Sequence, residues 1–392
     1  MWVDLRERSR LLAPLARRRL GPAALLLVGV FAHPPGAFAD DNTPWVGQRI
    51  MIKKAGVRIG YSDDAGRQIY VAELTDLVYT VLKEEDTWLE VRHRGVQGWF
   101  DREHAILLDD ALAFFAERIR AKNGDAFTFA HRGRAWQEEG ELERALRDLN
   151  EAIRLDPNTA AWFSNRGGVY DELEEYDRAL RDYSETLRLD PKDARTYHSR
   201  GLIYKTRKEY KNAIADYSEA IRLDPKWSHA YFNRANAYKA QKDYDKAIGD
   251  YGEAIRLDPK RTDSYFNRAG VYKAQKEYDK AVGDYGAVIR LDPEDADAHS
   301  NLAWLLATCP EGKVRDGKKA VELATKACEL TSWRGAYFQA TLAAAWAETG
   351  NFEEALRWQH KALESRLYQQ EEGELARQRL KLFEDQKPCR EE

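Results

Sequence analysis

The tripeptide Leu-Asp-Pro recurs at Leu155, Leu189, Leu223, Leu257 and Leu291, each 34 residues after the last. A fixed period of that length means stacked copies of one small unit, because so short a unit cannot bury its own apolar face. Ordering 34 residues costs about 50 kcal/mol of chain entropy, most of which burial between neighbours must offset. A stack presents an extended surface instead of a closed pocket. The expectation is therefore binding, not catalysis.

With Pro placed at position 32 of the unit, full copies begin at Ala126, Ala160, Ala194, Ser228 and Thr262. Slot 4 is aromatic (Phe129, Phe163, Tyr197, Tyr231, Tyr265) and so is slot 11 (Trp136, Tyr170, Tyr204, Tyr238, Tyr272). Slot 8 is small (Gly133, Gly167, Gly201, Ala235, Ala269) and slot 20 is always alanine (Ala145, Ala179, Ala213, Ala247, Ala281). Small residues at those spacings let two antiparallel helices approach closely while aromatics fill the gaps between them. Asp before Pro ends the second helix, since the residue ahead of a proline is pushed out of the α region.

These slots resemble the tetratricopeptide repeat over residues 126–293. The resemblance implies an all-α right-handed superhelical solenoid whose first helices build a concave, partner-binding face. Two divergent copies follow over 294–364, the sixth stretched by about five residues through 309–317. At the near end, Ala111 and Phe115 fall on slots 20 and 24, so 109–125 reads as an unpaired second helix linking and capping the stack. At the far end, 365–392 reads as a charged capping helix, centred on 372–383, and a tail.

Upstream, residues 45–108 change period. Short β-branched and aromatic runs at 48–53, 57–60, 69–72, 77–83, 88–92 and 97–100 are separated by Gly and Asp, which reads as five or six strands. The Trp88-Leu89-Glu90-Val91 and Gly98-Trp99-Phe100 hairpin resembles bacterial SH3-like domains. That resemblance implies a small all-β barrel ahead of the solenoid, with Trp88, Trp99 and Phe100 as a candidate ligand surface and cell-wall material as a ligand.

Residues 1–39 read as a secretory signal: Arg17, Arg18 and Arg19 precede an apolar run at 20–32, and Ala37-Phe38-Ala39 supplies small residues for cleavage. The run is about a dozen residues, short of the ~20 needed to cross a bilayer. Cleavage or retention as an anchor are both open, and the expected location is extracytoplasmic, periplasmic or secreted. This segment carries a net +4 while the whole chain is −4, leaving the body at −8. An acidic body argues against general nucleic-acid binding. Three cysteines, Cys309, Cys328 and Cys389, do not make a disulfide framework. The eight histidines form no ligand pair at helical spacing, so no metal or cofactor is expected. No phosphate loop or nucleophile motif stands out, so no enzyme activity is expected.

One departure from the family carries the most information. Slot 7, usually apolar, is Arg132, Arg166, Arg200, Arg234 and Arg268, while slot 23 is Asp148, Asp182, Asp216, Asp250 and Asp284. In the sixth and seventh copies the slots become Leu302 with Leu323 and Leu342 with Trp358. Charge arrives and leaves as a pair, which predicts a structural ladder bridging the helices. On the concave face, slots 2, 5, 6, 9 and 12 nominate Asn165, Arg195, Ser199, Lys205, Phe232 and Asn233, then Asn236, Lys239, Phe266, Asn267, Lys273 and Asn301. A carboxamide both donates and accepts, which suits clamping a peptide backbone. Lys205, Lys239 and Lys273 form a stripe favouring an acidic peptide or a terminal carboxylate. Family members that clamp a terminal carboxylate carry Lys at slot 2, and here only Arg195 fits. The reading is an adaptor of the bacterial envelope that holds a protein or peptide. The alternative is a peptidoglycan-targeting protein whose repeats recruit an enzyme. Self-association through the terminal helices is open.

Overall fold

In the computed structural model the described residues are 45–54, 57–62, 68–73, 78–93, 96–121 and 124–391. The expected signal at 1–39 lies outside them, as do residue 77 of the expected strand at 77–83 and residues 122–123 of the expected linking helix. The chain forms two compact units that divide between Arg207 and Lys208.

Among its described residues the first unit opens with eight strands: β1 (Arg49–Ile52), β2 (Arg58–Ser62), β3 (Gln68–Glu73), β4 (Val78–Thr80), β5 (Lys83–Glu85), β6 (Trp88–His93), β7 (Val96–Asp101) and β8 (Ala105–Leu107). They form two antiparallel sheets, β4-β1-β8 and β3-β2-β7-β6-β5. In place of the expected small barrel stand two sheets among the described residues, with more and shorter strands. The physical reason lies at one corner. The Val81 amide donates to Gln48 while the next amide, Leu82, donates to Glu90, so the chain leaves one sheet and enters the other between adjacent residues. Alternation sets the faces: Leu89, paired with Phe100, and Val91 point into a core with Ile50, Ile52 and Ile59, while Trp88 and Arg92 point out.

Helix α1 (Leu108–Arg120) follows without a break. Its Ala111 and Phe115 share one core cluster with Met51 and Ile106 from the strands and with Ala130 and Leu149 from the first repeat. Arg118 donates to the Lys53 carbonyl at 3.1 Å, and Arg49 meets Glu138 at 2.7 Å. Strands and repeats in this unit are therefore welded by both apolar and polar contacts.

The repeats are helix pairs: α2 (Ala126–Glu138) with α3 (Leu142–Leu155), α4 (Ala160–Glu172) with α5 (Tyr176–Leu189), and α6 (Ala194–Thr206) in the first unit. The second unit holds α7 (Tyr210–Leu223), α8 (Ser228–Ala240) with α9 (Tyr244–Leu257), and α10 (Thr262–Ala274) with α11 (Tyr278–Leu291). It continues through α12 (Ala296–Thr308) with α13 (Gly317–Leu330), α14 (Ala336–Glu348) with α15 (Phe352–Leu363), and α16 (Arg366–Glu384). All five slot-20 alanines are fully buried. A methyl group on Gly167 would sit 2.9 Å from the Tyr183 ring, which explains a glycine there.

Each Leu-Asp-Pro stop has a second device. The Asp carboxylate accepts the amide two residues on, as Asp190 does from Lys192 at 3.0 Å, closing a turn across the proline. Between first and second helices the backbone needs a left-handed residue. Gly140 supplies it in the first copy, but Glu174, Lys208, Lys242 and Lys276 adopt φ near +60° in the next four. An L side chain in that conformation costs about 1–2 kcal/mol.

Candidate protein-interaction surface

The first helices are held by the slot-7 arginines. Arg132 grips Asp148 through two bonds of 2.7 and 2.8 Å, and the same fork joins Arg166 to Asp182, Arg234 to Asp250 and Arg268 to Asp284. Arg200 belongs to one unit and Asp216 to the other. From the second copy to the fifth the guanidinium also lies between the aromatics one turn before and after it: Arg234 is 5.7 Å from the Tyr231 ring and 5.9 Å from that of Tyr238. The remaining nitrogen reaches back 16 residues to the preceding repeat, to Asn150 from Arg166, to Ser184 from Arg200 and to Ser218 from Arg234. One side chain thereby ties helix to helix and repeat to repeat. A planar fork with five donors can do this, whereas a lysine cannot. The hydrogen bond to the carboxylate raises the Arg166 and Arg268 pKa values, and the Arg234 pKa is raised against the opposing cost of burial.

The polar residues of the first-helix face are drawn into ordered contacts. Asn267 and Asn301 donate their amide nitrogens to the carbonyls of Asp263 and Asp297 on their own helices, at 2.9 and 2.8 Å. That turns the Asn267 amide oxygen outward, where it accepts from Lys239 Nζ at 2.9 Å across the repeat boundary. Lys273, one repeat on, bonds instead to Glu391 at 3.2 Å. Asn236 accepts from the Tyr251 hydroxyl at 2.6 Å, and Asn233 is buried. In the first unit, Arg195 is exposed at the start of α6, while Asn165, Ser199 and Lys205 are half-buried on the first helices.

Phe232 and Phe266 do not line the face. They are only 8% and 4% exposed and pack against Tyr251 and Tyr285 of the second helices. Slot 5 lies one turn before slot 8, and residues three apart share a helix face, so slot 5 follows the small slot-8 residue into the helix pair.

On the strands, Phe100 is 2% exposed and belongs to the core, opposite Leu89. It cannot touch a ligand. Trp88 is 41% exposed, and Trp99, opposite Glu90 on β7, shares its outward face one diagonal step away. A separate cleft of about 490 Å³ opens between the strands and α1, lined among others by Trp45, Lys53, Thr87, Arg102, Asp110 and Phe114. Arg102 stands 5.9 Å from the Trp45 ring and pairs with Glu84 at 2.9 Å, and burial lowers the Lys53 pKa. Its lining comes from distant segments, so no sequence motif announces it.

Burial lowers the His131 pKa to about 3, its ring stacked on Phe127 at 3.7 Å and its Nδ1 held by the Phe127 carbonyl. Cys328 and Cys389 are pushed up to about 12 and about 11 by burial. All three cysteines are free thiols. Among the described residues no group of three or more His, Cys, Asp or Glu side chains could hold a metal ion, and no helix is long and apolar enough to cross a membrane.

Comparison with known proteins accords with this geometry. Tetratricopeptide repeat models match residues 132–194, 228–261 and 337–367, and a TPR repeat model matches 201–242 and 270–307. The chain carries tetratricopeptide repeats over these residues. Among solved structures, the C-terminal part of a TPR repeat-containing protein from Cytophaga hutchinsonii is 18% identical, with 57% of this chain and 91% of that one covered at a TM-score of 0.51. A tetratricopeptide repeat protein from Parabacteroides merdae is 19% identical, covering 66% of this chain and 98% of that one at 0.46. YrrB, described as a TPR protein with an unusual peptide-binding site, is 22% identical, covering 47% and 95% at 0.43. At these identities the likeness is one of fold. No curated protein matches the chain.

Proposed function

We propose that this protein is a non-enzymatic scaffold that holds a protein partner's peptide on the face formed by its first helices. The observation that carries the reading is the Lys239–Asn267 bond, which joins slot 12 of one repeat to slot 6 of the next. An ammonium and a carboxamide therefore meet on one surface across a repeat boundary, suited to an acidic peptide whose backbone needs both donors and acceptors. The net charge of −8 on the body after residue 39 makes the lysine stripe a local exception, which favours acidic segments over general anion binding. The test is a peptide array probed with the wild-type protein and with a Lys205→Glu, Lys239→Glu, Lys273→Glu variant. Preference for acidic peptides is expected to vanish in the variant, and its persistence would refute the stripe.

The proposed location is outside the cytoplasm, on the strength of the Arg-flanked apolar leader at 1–39. Within the bacterial envelope a second reading has its own support: the cleft beside Trp45 and Arg102, and the outward pair Trp88 and Trp99, could engage cell-wall material. Sedimentation with purified peptidoglycan tests it. Pelleting that depends on the strand region supports wall targeting, and its absence leaves protein scaffolding alone.

A further inference from the structure

The residues after α16 turn back onto the first-helix face. Gln386 takes φ 54°, and the Lys387 amide bonds to the Leu382 carbonyl at 2.8 Å, which reverses the chain. Three consecutive residues then occupy three distinct subsites beside α12. Cys389 is buried in the apolar cluster that includes Trp304 and Leu305. Arg390 forms an ion pair with Glu348 at 2.7 Å and donates to the Ala307 carbonyl at 3.4 Å. Glu391 places one carboxylate oxygen 3.2 Å from Lys273 Nζ and the other 3.2 Å from Trp304 Nε1, while its amide donates to the Thr308 carbonyl at 2.9 Å.

The chemistry of the seat explains why this segment fits it. The last carbonyls of α12 lack partners within their own helix and carry partial negative charge. The Glu391 amide and the Arg390 guanidinium supply donors to two of them. The lysine register points the same way. Lys239 donates to Asn267 of the following repeat, and the same step from Lys273 leads to Asn301. In this structure the Lys273 ammonium is instead committed to the tail. A peptide-holding group of the regular repeat is thus already in use.

We propose that residues 389–391 are a built-in occupant of the partner surface. The seat over α12 recognises a short segment with a small apolar side chain followed by a base and an acid, and the chain's own tail fills it until a partner segment of that chemistry displaces it. This rests on the reading of the first-helix face as the partner surface. A tether of a few residues holds the tail at an effective concentration of order millimolar. A competing segment must overcome that, so the seat is closed to weak ligands and open to strong ones.

The experiment uses a fluorescently labelled peptide of residues 385–392 and measures its binding to the protein by polarisation. Two chains are compared with wild type: full-length Glu391→Lys, and one ending at Lys387. Both should bind the peptide at least tenfold more tightly than wild type, because their own tails no longer compete. Adding Lys273→Glu to either should abolish that binding, and a scrambled peptide of equal charge should bind at least tenfold more weakly. If the shortened chain loses helicity by circular dichroism, the Glu391→Lys chain carries the same test. Binding no tighter than wild type in a folded variant, or equal binding of the scrambled peptide, overturns the proposal. Either result leaves the scaffold reading standing, because that reading falls only if the peptide array shows no lysine-dependent preference.

Discussion

At slot 7 the fourth copy holds Arg234 and the sixth holds Leu302; at slot 23 they hold Asp250 and Leu323. Both solutions pack a first helix against a second, and both bury the contact. Around Arg234 the neighbours one turn away are Tyr231 and Tyr238, whose ring faces favour a cation. Around Leu302 the same positions are His299 and Leu306, within a cluster containing Trp304, Leu305 and Leu323. The difference teaches that the charged pair is one member of a four-residue unit. It works where aromatics flank it, as around Arg166, Arg234 and Arg268, and at Arg166 and Arg234 a polar residue of the preceding repeat also takes the spare nitrogen. The apolar copies give up that cross-repeat tie, and α16 and the tail cover their first helices instead.

The sharpest way to break this contrast is to remove half a pair. Asp250→Leu leaves the Arg234 charge without its fork partner and should cost about 3–5 kcal/mol, whereas Arg234→Leu with Asp250→Leu should recover most of the loss. Urea denaturation of the full chain reads both, and equal stability of the single and double variants would erase the distinction. Transplanting the pair tests the converse. Leu302→Arg with Leu323→Asp should lose ~3 kcal/mol, since the charges are desolvated without flanking aromatics. Adding His299→Tyr and Leu306→Tyr should restore part of it.

Acid reaches both regions by one mechanism. Burial lowers the pKa of His131 in the first copy, to about 3, and of His299 in the sixth. The unfolded chain takes up a proton below the ordinary histidine value while the folded one does not, so stability is fullest above that value and falls as the pH drops toward 3. The His131 contribution should be roughly 1.4 kcal/mol per pH unit between about 6.5 and 3, and His131→Phe should flatten that slope in denaturation curves taken across the range.

The smallest expected effect lies in the turns. Lys242 holds φ 63° where the seventh copy has Gly350 at φ 83°. Lys242→Gly should gain about 0.5–1 kcal/mol and Gly350→Lys should lose a similar amount, read as opposite shifts in Tm.

Much of the helical region was legible because its signals are local and repeated. Pro after Asp stops a helix wherever it falls, and five helix starts coincide with the slot count at Ala126, Ala160, Ala194, Ser228 and Thr262. The Arg and Asp ladder could be read because both members vary together within one chain. The surface was less legible. Phe232 and Phe266 look like ligand-facing aromatics in a linear pattern, and only the rotation of slot 5 toward the second helix shows them to be core. The strands were hardest. Phe100 and Trp99 are adjacent, yet one is core and the other faces out, and the three-residue strands β5 and β8 carry too few residues to show a period.

What the amino-acid order determined alone is the repeat unit: its length, its stops, its small contact positions and its charge pairing. Each depends on residues within one hairpin or on the same position one period away, so spacing alone exposes it. What only the tertiary structure decided are the meetings between segments with no periodic relation: the cleft under α1, and Glu391 on Lys273, 118 residues apart in the chain. Such contacts are set by the summed turns of many intervening helices, and no local rule carries that sum.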